Sequence, residues 1–121
     1  MAKQAGVSDE AVVNQKADGY AASASRTFTA SMDSVFSAWT DARRRRAWLD
    51  EPCTITTATP GKSVRIAWPD GTRVDVYLVA KGREKTQVAI QHTKLADPDA
   101  VAMRKAFWKA ALDRLGSRVV R

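Results

Sequence analysis

Residues 62–94 read KSVRIAWPDGTRVDVYLVAKGREKTQVAIQHTK, and the alternation within them decides the fold. Val64, Ile66 and Trp68 share one face of a strand, opposite Ser63, Arg65 and Ala67. Val74, Val76 and Leu78 then lie opposite Arg73, Asp75 and Tyr77, and Val88, Ile90 and His92 opposite Gln87, Ala89 and Gln91. Side chains on a strand point alternately to its two faces, so each run predicts a half-buried strand. Pro69-Asp70-Gly71 and Lys81-Gly82-Arg83 separate the runs with turn chemistry. Short turns between such strands predict an antiparallel meander with one buried face.

Upstream, Cys53 to Thr59 is threonine-rich and ends at the Pro60-Gly61 turn pair, giving another strand. Ala42 to Leu49 reads as a short helix with Trp48 and Leu49 on one side and arginines on the other. Before it, Ser31 is a good N-cap and Asp33 suits a first turn, with Val35, Phe36 and Trp39 as the apolar side. Tyr20 to Ala30 predicts the first strand. Downstream, Asp97 or Asp99 opens the longest helix, Ala100 to Val119, with Pro98 tolerated in the first turn. Its stripe is Val101, Trp108, Leu112, Leu115 and Val119. Residues 1–18 form a polar, alanine-rich lead expected to be flexible, with a short helix capped at Ser8 and stopped at Gly19; the domain proper is expected at 19–121.

The 121 residues are 45% hydrophobic and 27% charged, the proportions of one globular domain with its own core. One Cys and one His exclude an internal disulfide, a cysteine-based zinc site and a His-rich metal site. No metal or other cofactor is expected. No run of about 18 apolar residues is present to span a membrane, and Met1 to Gly6 lacks the apolar run of a secretory signal, so the cytoplasm is the expected location.

Twenty Lys and Arg against 13 Asp and Glu leave a net charge of +7, much of it from Arg43 to Arg46. A positive field draws polyanions, but no aromatic residues interleave with the run to stack on bases. Trp48 shares apolar parity with Leu49 and should pack inward. No specific nucleic-acid binding is expected, only a weak, sequence-blind attraction lost in moderate salt.

Strand, two short helices, antiparallel meander and long amphipathic helix make an α+β, helix-grip order: a curved antiparallel sheet of about five strands wrapped on the last helix. Phe28-Thr29-Ala30-Ser31-Met32-Asp33-Ser34-Val35-Phe36-Ser37-Ala38-Trp39-Thr40-Asp41 resembles the opening of START-like (SRPBCC) domains. Arg46-Ala47-Trp48-Leu49 and Ala106 to Leu115 are similar to the second and closing helices of one branch, the C-terminal domain of activator of heat-shock protein 90 ATPase homologues. The resemblance covers residues 20–119. It departs in its short middle, with room for four strands after the first, and in lacking the usual proline before the first helix.

The resemblance implies a pocket between sheet and long helix, mostly apolar with few polar groups. Trp39, Trp48, Trp68, Val76, His92, Met103, Phe107 and Trp108 are its candidate lining, and the same residues suit a plain core. His92 is the one side chain fit for acid–base work near neutral pH, and its parity with Val88 and Ile90 points it inward. No second titratable group has an identifiable place facing it, so no catalytic residue is assigned and enzymatic activity is left undecided, leaning against. Cys53 follows two acidic residues and a proline, which should raise its pKa. The expected function is a non-enzymatic module binding a small apolar or aromatic ligand, with a reduced pocket. The alternatives are a chaperone-activator type of protein-interaction domain, or a small cyclase- or hydrolase-like enzyme. A monomer or weak homodimer is expected.

Overall fold

The computed structural model of the chain describes residues 14–16, 19–49 and 51–119. Its elements run β1 (Asn14–Lys16), β2 (Gly19–Phe28), α1 (Met32–Thr40), α2 (Ala42–Trp48), β3 (Thr54–Thr59), β4 (Ser63–Ala67), β5 (Arg73–Gly82), β6 (Lys85–Leu95) and α3 (Pro98–Val119). The strands form one antiparallel sheet in the order β1-β2-β6-β5-β4-β3. The meander therefore stays together, and the first long strand, β2, crosses over to lie beside the last, β6. The helix expected from Ser8 lies mostly outside the described residues. Asn14–Lys16, expected to be part of the lead, is a strand instead, because Lys16 pairs with Gly19 and carries the ladder back along β2.

Each helix begins where a side-chain oxygen can satisfy free backbone donors. Ser31 Oγ accepts from Ser34 N–H, Asp41 accepts from Arg43 and Arg44 N–H, and Asp97 accepts from Ala100 N–H at 2.8 Å. Asp41 lies below its ordinary pKa, chiefly because the Arg44 N–H favours the charged carboxylate.

The parity of the meander is realised. Val64, Ile66, Val74, Val76, Leu78, Val88 and Ile90 face inward and are buried, whereas Tyr77 stands exposed on the outer face. The main core joins them to Phe28, Val35, Trp39, Trp48, Trp108, Leu112 and Leu115. A smaller cluster of Ala22, Leu95 and Val101 closes the other end of the sheet–helix interface. Asp75, though on the outer face, is only 6% exposed. Arg65 and Arg73 stand 3.8 and 3.5 Å from its carboxylate.

Gly19 opens β2 instead of stopping a helix. Its φ of 115° is strained for other residues, and a Cβ there would lie 2.8 Å from the Leu95 carbonyl oxygen. Neighbouring Lys94 also has a positive φ, 66°, and the β2–β6 register shifts between Tyr20 and Ala22. The backbone thus has little freedom to retreat. Gly19→Ala is expected to cost about 2 kcal/mol, read as a lower urea midpoint. An unchanged midpoint would contradict this tight crossing. Gly116 lies within α3, where a Cβ would approach Phe28 Cε1 to 3.2 Å.

Candidate functional site

Between sheet and α3 the aromatic side chains form a continuous train. Trp48 meets Trp39 edge-on at 4.6 Å between ring centroids, and Trp39 meets Trp108 at 6.0 Å. Trp108 packs on Trp68 at 5.5 Å and on Phe107 at 5.1 Å. His92 lies 5.4 Å from Trp68 and 6.1 Å from Trp108. Trp39, Trp48, Trp68, Val76, His92 and Trp108 are buried, and Phe107 is partly so. The structure thus brings together every candidate lining residue except Met103, which is 72% exposed. These rings fill the space that they were expected to line.

His92 is held at both nitrogens. Trp108 Nε1–H donates to Nδ1 at 3.0 Å, and Nε2 lies 2.6 Å from Thr72 Oγ1. Indole N–H can only donate, so Nδ1 is the acceptor and the ring proton sits on Nε2. Nε2–H then donates to Thr72, whose hydroxyl donates to Asp70. The chain runs in one direction, Trp108 to His92 to Thr72 to Asp70, and leaves His92 no lone pair with which to accept a proton from a substrate. Burial, aided by the Arg104 charge and opposed by Asp70, holds the imidazole down from 6.5 to about 4. Burial pushes Asp70 up, but the Thr72 hydroxyl and N–H and the Arg104 charge outweigh it and leave Asp70 below its ordinary value.

Arg104 closes this flank. It stands 3.4 Å from Glu51 and 3.5 Å from Asp70, with its guanidinium over the rings of Phe107 and Trp68. Trp68 Nε1–H donates to Glu51 at 2.7 Å. No sequence motif singled out Glu51, Asp70, Thr72 or Arg104. The available signal was register: Val74 pairs with His92, which puts Thr72, two residues earlier, within reach of the ring.

The opposite flank is open. A cleft of about 520 Å³ separates β2 from α3, lined by residues 23–26 with Lys105, Lys109, Leu112 and Asp113. Arg26 crosses it to pair with Asp113 and covers the Phe28 ring. A smaller crevice, about 300 Å³, lies between Ser34, Ala38, Arg44, Ala47, Arg118 and Val119, away from the sheet.

In α2 the four arginines divide. Arg45 turns back to donate to the Trp39 carbonyl at 2.8 Å, leaving Arg43, Arg44 and Arg46 exposed. Trp48 is buried and donates to the Ala38 carbonyl. With about three arginines free for phosphate, log K for duplex DNA against log salt is expected to be no steeper than about −3. Binding that persists at physiological salt, or that discriminates between sequences, would contradict this. Cys53 is raised above its ordinary pKa chiefly by burial, against the nearby Arg45 charge.

No protein-family model and no curated protein matches the chain. Solved structures do. CalU16 from Micromonospora echinospora is 24% identical, with a TM-score of 0.68 over 86% of this chain and 78% of that one. The Aha1 dimer from Colwellia psychrerythraea is 16% identical, at 0.68 over 82% and 95%. A START superfamily protein from Mycobacterium smegmatis is 14% identical, at 0.61 over 84% and 97%. With the element order and the sheet gripping α3, these likenesses establish a START-like (SRPBCC) fold. Among the described residues, no helix is long and apolar enough to cross a membrane.

Proposed function

We propose that this chain is a non-enzymatic START-like module that holds a small, largely apolar ligand in the cleft between β2 and α3. The observation that carries the reading is the contrast between the two parts of the sheet–helix interface. The centre is packed with rings, while the β2 flank keeps about 520 Å³ open above Ala24 and beside Leu112. That volume falls within the usual range for small-molecule sites. Apolar surface removed from water contributes about 25 cal/mol per Å², less the cost of ordering the ligand, so an open cleft supports modest affinity. The commitment of both His92 nitrogens within the fold supports binding without turnover.

Titration with 1-octanol, followed by backbone NMR, tests the site. Shifts concentrated at residues 23–26 and around Leu112 are expected, and Ala24→Leu, which fills the floor, should abolish them while the protein stays folded. Saturable shifts that survive Ala24→Leu, or that centre on Trp68 and Trp108, would overturn this placement.

A further inference from the structure

We infer that the ligand of the β2–α3 cleft is an anion, a small acid with an apolar body and one carboxylate, received by Lys105 and Lys109. The inference rests on the proposed site and adds the chemical class of what it takes. Lys105 and Lys109 lie one turn apart on α3, and both line the cleft opposite residues 23–26. Like charges at this spacing disfavour a helix, and solvent-facing positions would ease that cost. Both side chains are exposed, at the rim of the cleft beside the buried stripe that contains Trp108 and Leu112. The other flank of α3 shows how the fold treats a cation that it uses internally. Arg104 there is met by Glu51 and Asp70. Among the described residues, neither Lys105 nor Lys109 has an acidic partner within salt-bridge distance.

The remaining charges of the cleft are already matched. Arg26 belongs to the inner face of β2, since its cross-strand partner is Val88, and its guanidinium is paired with Asp113. Arg26, Lys105 and Lys109 against Asp113 leave two positive charges unanswered. Ammonium groups on flexible stems act as point charges suited to a compact headgroup, and their methylene stems can cover an apolar chain. Partly buried Ala24, backed by the buried Leu112, supplies an apolar floor below them. A free inorganic anion would leave that surface uncovered, and a neutral lipid would leave the charges unmatched. A monocarboxylate with a short aliphatic or aromatic body satisfies both.

The test compares octanoate with 1-octanol, which share a tail and differ in charge, by NMR titration of the full chain at low salt. Octanoate is expected to bind about tenfold more tightly. In Lys105→Gln/Lys109→Gln, octanoate should fall to the level of octanol while octanol is unchanged. Arg43→Gln/Arg44→Gln/Arg46→Gln should retain the full preference, which separates the cleft from the general field of a +7 chain. Equal binding of the two ligands to the native chain would overturn the anion inference and leave the apolar site standing. So would a preference that survives the lysine substitutions, or one that disappears with the arginines. If neither ligand binds, the proposed function itself fails.

Discussion

Trp108→Ala is expected to destabilise the fold by about 5 kcal/mol, enough to leave many domains of this size unfolded at room temperature. Two independent losses combine. Trp108 is fully buried between Trp39, Trp68 and Phe107, and truncating such a ring costs about 3–5 kcal/mol in lost transfer energy and cavity formation. The same change strips His92 Nδ1 of its donor, and an orphaned buried acceptor costs about 1–3 kcal/mol. Trp108→Phe separates the terms, keeping most of the ring while losing the N–H; it should cost about 2 kcal/mol. Urea unfolding at neutral pH reads both. A loss below about 2 kcal/mol for the alanine variant would mean that the interface relaxes around the gap, and that the aromatic train is not the keystone of the sheet–helix contact.

What the sequence disclosed, and what it hid, follows from the range of the interactions. Strand parity was legible because burial of one face writes itself into every second residue, so Val64, Val76 and Ile90 announced their side. Helix starts were legible because capping is local, as at Ser31 and Asp97. Gly19 was misread because a positive φ serves a helix stop and a strand crossing equally well, and only the distant Leu95 carbonyl distinguishes them. The link from Asp70 through Thr72 to His92 spans two strands and depends on their register, which no local pattern encodes. Met103 was misplaced because an apolar residue beside a helical stripe was counted with it, whereas the stripe turns inward through Val101, Trp108 and Leu112. A pocket between sheet and long helix is expected, but the lining of the cleft is hidden for a related reason. Lys105 and Lys109 are solvated helix positions, and their place at the rim of a cleft emerges only once β2 is known to cross over and lie beside β6. Four tryptophans also read the same way whether they line a cavity or fill one; only their mutual distances decide that they fill it.

Lowering the pH from 6.5 to 4 is expected to remove about 3 kcal/mol of stability through His92 alone. Its folded pKa of about 4 lies below the unfolded 6.5, so between these values the unfolded chain binds the proton that the folded chain refuses. Stability is therefore fully present above about pH 6.5 and declines as pH falls through that window, flattening below 4. The structural cause is directional. A proton on Nδ1 would face the Trp108 N–H, donor against donor, at a 3.0 Å separation. Arg104 adds repulsion, and Asp70, reached through Thr72, is the carboxylate that offsets part of it. Asp70 and Asp41 are themselves held below the ordinary carboxylate range, so their contributions have the same sign but are lost at lower pH. Urea midpoints measured at steps between pH 7 and 4 give the slope, and His92→Gln, which keeps an acceptor and a donor but cannot titrate here, should flatten it. A native slope that is already flat would show that His92 takes up its proton at no cost to the fold, and that neither burial nor the Trp108 bond holds its pKa down. A slope that His92→Gln leaves unchanged would place the acid sensitivity between pH 7 and 4 outside His92.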